Sequence, residues 1–75
     1  MFRIKWTEYQ DGEEFVATVG NCDLSVMFLC SNAWDYQIDC VEKNFRHSNL
    51  SSLPSAKVAK TECRKALLKL MEAGL

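Results

Sequence analysis

Three groups of side chains in this sequence could do chemistry: four cysteines with the one histidine, a spaced pair of aspartates, and a short run of cations toward the C-terminus. Cys22, Cys30, Cys40, Cys63 and His47 are of the donor types that bind zinc. They contain no C-x-x-C pair, so a zinc site would need the fold to gather distant positions, and thiols buried as small apolar residues are the plainer reading. Asp35 and Asp39 lie two pleats apart on one strand face, near enough for paired-carboxylate work or a hard cation. An open sheet surface lacks the burial that perturbs a carboxylate, and a solvated strand face is the simpler account. Lys57, Lys60 and Arg64 recur at three and four residues and so share one edge of a helix, where they could hold phosphates. The chain has no nucleophile elbow, no glycine-rich phosphate loop and no second histidine. With no acid, base and nucleophile to name together, it is read as a non-enzyme that carries no cofactor and no metal.

The elements that must position these groups follow from hydrophobic period. Residues 2–7 alternate apolar with polar, which places Phe2, Ile4 and Trp6 on one face of a first strand. Gln10-Asp11-Gly12-Glu13 breaks the pattern with an Asp-Gly turn signal. A second strand over residues 15–19 points Phe15, Ala17 and Val19 inward, and Gly20-Asn21 supplies the next turn. In a third strand, residues 24–30, Leu24, Val26, Phe28 and Cys30 share the inner face while Met27 and Leu29 lie on the other. Ser31-Asn32-Ala33 leads into residues 34–40, where Trp34, Tyr36, Ile38 and Cys40 go in and Asp35, Gln37 and Asp39 go out. Runs this short, joined by turns this tight, pair as an antiparallel meander.

Residues 43–51 have no steady period and are read as the longest loop. Ser52 suits a helix N-cap, with Pro54 in the first turn where its missing N–H costs nothing. Beyond it Ala56, Ala59, Cys63, Ala66, Leu67, Leu70 and Ala73 fall in one stripe, and Gly74 ends the helix. The expected fold is therefore α+β: a four-stranded antiparallel meander with one C-terminal helix packed on one face. Covering that face is worth several kcal/mol at about 25 cal/mol per Å² of apolar surface buried.

A length of 75 residues leaves room for one domain, spanning 1–75, and an apolar fraction of 48% is enough to fill its core. No apolar run approaches the roughly 18 residues of a membrane span, and the start Met1-Phe2-Arg3-Ile4-Lys5 lacks the apolar region of a secretory signal. A cytoplasmic location away from membranes is expected, where thiols stay reduced. The net charge of −1 hides a segregation: residues 1–42 carry eight carboxylates against Arg3 and Lys5, a net of −6, while residues 43–75 carry seven cations against Glu62 and Glu72, a net of +5. The molecule should be bipolar.

On the outer sheet face Val16, Met27, Leu29 and Val41 are apolar with nothing in so short a chain to cover them. Asp35, Gln37, Asp39 and Glu42 lie beside them. An apolar centre with an acidic rim has the composition of a protein-binding surface, one that could dock on a basic groove that otherwise holds nucleic acid. The alternatives are a homodimer pairing the same face, or scattered exposed residues without a role.

Two resemblances bear on this. Ala59-Lys60 with Leu67-Leu68 resembles the last helix of double-stranded-RNA-binding domains, whose lysines grip phosphate across the major groove. It implies phosphate contacts from Lys57, Lys60 and Arg64, whereas an acidic sheet repels nucleic acid, so a nucleic-acid-binding module is the alternative reading. The succession Trp6, Phe15-Val16-Ala17-Thr18-Val19-Gly20, Leu24-Ser25-Val26, Trp34-x-Tyr36 and Ser52-Leu53-Pro54-Ser55-Ala56-Lys57-Val58-Ala59 is similar to small phage and prophage proteins. Those proteins build a strand-strand-strand-helix unit with an aromatic-x-aromatic strand and a Ser-Leu-x-x-Ala-Lys helix start. Such proteins are often accessory factors that bind host or competing proteins, anti-CRISPR inhibitors of bacterial defence among them. The resemblance implies a small inhibitor or adaptor, encoded by a phage or mobile element, that binds a protein partner.

Overall fold

The structure of the chain, a computed structural model, describes residues 4–43, 45–49 and 52–73. Five strands, β1 (Thr7–Tyr9), β2 (Glu14–Val19), β3 (Cys22–Cys30), β4 (Ala33–Cys40) and β5 (Phe45–Ser48), precede one helix, α1 (Ala56–Glu72). The strands form one sheet in chain order, each antiparallel to its neighbours. Short turns make this order inevitable. Gly20 and Asn21 alone join the directly paired Val19 and Cys22, and Gly20 takes φ +59°, the positive first central φ of a type II′ turn. Between β1 and β2 the backbone is left-handed at Gln10, Asp11 and Gly12. Glu13 N closes that turn by donating to Gln10 O at 3.1 Å.

The α+β class, the antiparallel meander and the C-terminal helix match the expectation from the sequence, but the described residues form five strands and not four. The fifth comes from residues 45–48, inside the stretch read as a loop. Four residues give too few repeats for a two-residue period to stand out, and His47 on the inner side breaks the apolar pattern. The first strand is also displaced: it covers Thr7–Tyr9, all three exposed, while Ile4 and Trp6 precede it and pack against the core as partly buried side chains. Phe2 lies outside the described residues.

Register shows how the core is assembled. Ala17, Leu24 and Ile38 lie opposite one another across β2, β3 and β4, as do Phe15, Val26 and Tyr36. With Ala59, Cys63 and Leu67 from α1 these rows make the core, and Trp34, Ala66 and Leu70 pack against it. Each fully buried leucine or isoleucine here contributes about 1.5–3 kcal/mol relative to exposure. Trp34 closes one end, its ring 5.3 Å from Phe28 and 6.3 Å from Phe15. Cys30, expected on this inner face, is exposed, because the pairing slips between Phe28 and Cys30 and the alternation does not survive the irregularity.

The helix begins three residues later than Ser52 and Pro54 suggest. Leu53 is an outrigger of the sheet: its N–H and C=O exchange hydrogen bonds with Trp34 at 2.9 and 2.8 Å. Ser52 and Pro54 flank that bridge, and Ser55 becomes the N-cap, its Oγ accepting from Val58 N at 3.2 Å. Ala59, Cys63 and Leu67 are the buried spine of α1, while Ala73, expected in the stripe, is exposed at its C-cap. Gly74 lies outside the described residues.

The expectation of four free thiols is corrected by a disulfide between Cys22 and Cys40. These residues face each other across β3 and β4 with Cα atoms 4.1 Å apart, so the register itself brings the sulfurs together. Cys30 and Cys63 are free. Among the described residues, no helix is long and apolar enough to cross a membrane.

Candidate functional site

Alternation along the strands sorts the other set of residues onto the face turned away from α1, and register arranges them in rows. Tyr9, Glu14, Met27 and Asp35 are successive cross-strand partners in one row. Thr7, Val16, Ser25, Gln37 and Ser48 make the next, and Thr18, Asp23, Asp39 and Arg46 the third. Met27 is 45% exposed and Leu29, two residues further along β3, is 51% exposed. Glu14 and Asp35 flank Met27 on both sides. A shallow depression runs from Ser25, Met27 and Leu29 to Asp35, Gln37 and Ser48.

The residues singled out from the sequence are thus largely brought together: Val16, Met27, Leu29, Asp35, Gln37 and Asp39 share this face. Val41 does not join them. It is 71% exposed but sits in the turn Val41–Lys43 beyond the end of β4, where Asn21 Nδ2 donates to Glu42. The two aspartates are held apart by different partners. Asp35 Oδ1 accepts from Asn49 Nδ2 at 2.9 Å, and Asp39 pairs with Arg46 at 3.3 Å, so they do not converge on a common ligand.

On α1, Lys57 is exposed, whereas the Lys60 ammonium stands 3.5 Å from the centroid of the Phe15 ring. That cation–π contact engages one member of the basic edge with the sheet. Arg64 is likewise engaged in an interaction of its own. His47 lies away from the disulfide partners in register with Ile38, and Cys63 is buried on α1. Among the described residues no three histidine, cysteine or carboxylate groups cluster as metal donors do.

A feature the sequence did not disclose lies on the opposite flank of α1. Tyr36 Oη and His47 Nε2 are 3.2 Å apart, and with Glu62, Lys65, Lys69 and Leu70 they line a cleft between the helix and the β4–β5 side of the sheet. Burial, then the charges of Cys63 and Glu62, push the Tyr36 phenol above its ordinary value, so it stays protonated and can donate. The helical spacing of 62, 65, 66 and 69 was a readable signal, but its counterpart His47 sat in an unassigned segment. No protein-family model, curated protein or solved structure matches the chain.

Proposed function

We propose that the protein is a small non-enzymatic inhibitor or adaptor that binds a basic protein surface through the outer face of its sheet. The observation that carries this is the half-exposed pair Met27 and Leu29, with Glu14 and Asp35 flanking Met27 and Asp23 and Asp39 further along the same face. An apolar centre supplies affinity and an acidic surround steers a cationic partner. Arg46, the cation in the third row, is tied to Asp39 and does not reverse the sign. The resemblance of residues 6–66 to small phage and prophage accessory proteins favours the same kind of role.

The test is to isolate a partner on the wild-type protein and titrate it against a Met27→Asp/Leu29→Asp double variant of unchanged melting temperature. Affinity should fall by about 100-fold or more, consistent with loss of an interface hot spot, and wild-type binding should weaken as salt rises. Equal affinity in the folded double variant removes this face from the function. A duplex mobility shift at low salt that is lost in Lys57→Glu would move the function to α1, and concentration-dependent light scattering would identify a second copy as the occupant.

A further inference from the structure

The cleft beside α1 has a volume of about 380 Å³, at the small end of the range of ligand-binding sites. Its walls divide by chemistry. Ala66, Leu70 and the ring of Tyr36 give an apolar back, and Tyr36 is itself a core residue only 8% exposed. The Tyr36 hydroxyl and the His47 imidazole form a hydrogen-bonding pair inside it. Lys65 and Lys69, both exposed, also line it and set two cationic residues against the one carboxylate of Glu62. Lys65 Nζ lies 3.4 Å from that carboxylate in a pair exposed on both sides, a contact that water screens and that a bound anion can exchange for its own.

We propose that this cleft binds a small organic carboxylate: a compact apolar body against Ala66, Leu70 and the Tyr36 ring, with its carboxylate at Lys65 and Lys69 and within reach of the Tyr36–His47 pair. Charge complementarity selects the anion, because the cleft carries a cationic excess in a molecule whose sheet is acidic. The volume has room for a body of one aromatic ring or one branched aliphatic side chain together with its carboxylate. Such a carboxylate can be a free acid or the C-terminus of a peptide ending in an apolar residue, and both share the chemistry. The site lies across the molecule from the docking face and stands without it.

The experiment is an amide and imidazole NMR titration of the oxidised protein with three probes: phenylacetate, N-acetylglycyl-leucine and the neutral phenylacetamide. Saturating shifts at His47, Ala66, Lys69 and Leu70 are expected from at least one carboxylate, with phenylacetamide about tenfold weaker or worse, as loss of a charge-assisted hydrogen bond requires. A Lys65→Gln/Lys69→Gln variant, changed only at exposed positions, should lose about tenfold for the carboxylates and leave phenylacetamide unaffected. Preference for the aryl acid identifies a free ligand, and preference for the dipeptide a chain terminus. Absence of saturation up to roughly 10 mM, a range in which even weak fragments bind, overturns the proposal, as does equal binding of acid and amide or shifts confined to the outer sheet face.

Discussion

Asn49 finishes the edge of β4 with its side chain: its Oδ1 accepts the Tyr36 N–H at 2.8 Å. Pairing of β5 with β4 ends at Ser48 and Gln37, and Leu53 takes up the ladder again at Trp34. The amide of Asn49 occupies the gap between them and also donates to Asp35. The core strand is thereby paired along its length by three devices in succession, two of them backbone and one a side chain.

Asn49→Ala should therefore destabilise the fold by about 1–3 kcal/mol, because it leaves a part-buried backbone donor unpaired. Asn49→Asp should keep an acceptor for Tyr36 N but lose the donor to Asp35 and set a second carboxylate against it, so it too should destabilise the fold. Urea unfolding measures both. Wild-type stability in the alanine variant would show that water replaces the amide at no cost.

The contrast between this edge and the rest of the sheet explains what could be read in advance. Residues 34–40 alternate through seven positions, and every inward and outward assignment there agrees with the structure. β5 is four residues long, carries a histidine on its inner side and ends in a side-chain surrogate, so no periodic signal marks it. Ser52 and Ser55 are equally good cap residues by type; only the tertiary pairing of Leu53 with Trp34 decides between them. The disulfide was hidden because pairing of Cys22 with Cys40 depends on register, a property of two strands together. The apolar and acidic residues of the outer face were legible, apart from Val41, because they follow the strand period directly, whereas the cleft requires β5 and α1 to meet.

The choice of cap gives a second expectation. Ser55→Ala removes the acceptor for Val58 N and should cost about 1 kcal/mol, the usual value of a serine N-cap. Ser52→Ala, at an exposed position outside α1, should be neutral within about 0.5 kcal/mol. Thermal melts of the two single variants decide, and the reverse order of effects would place the helix start at Ser52.

Joining Cys22 to Cys40 closes a loop with a sequence separation of 18 at the end of the β3–β4 hairpin away from its turn. Such a link restricts the unfolded chain and should contribute about 2–4 kcal/mol. Reduction, or a Cys22→Ser/Cys40→Ser variant, should lower the unfolding free energy by that amount, read as a lower urea midpoint, while far-UV circular dichroism keeps its mixed form. Identical midpoints with and without reductant, in protein whose mass shows the bond intact beforehand, would remove the disulfide from the stability of the fold.

The remaining thiols should behave oppositely, for reasons that also set how stability depends on pH. Cys30 is exposed, and Cys63 is fully buried on α1 beneath the sheet. Burial pushes the Cys63 thiol from its ordinary value of 9.0 up to about 12, since the thiolate would lose its hydration among apolar neighbours. In the native oxidised protein an alkylating reagent should thus modify Cys30 rapidly and Cys63 only as the chain unfolds. The sign of the pH effect follows from the same preference. The folded state holds its proton more tightly than the unfolded state, so this contribution to stability is fully present below the unfolded value near 9 and drains away as pH rises toward 12. Unfolding midpoints should fall across that window, and a Cys63→Ala variant, though less stable at neutral pH through the cavity it leaves, should show a shallower fall. Equal alkaline slopes in the two proteins, or equal alkylation rates at Cys30 and Cys63, would mean that Cys63 is not sealed between helix and sheet.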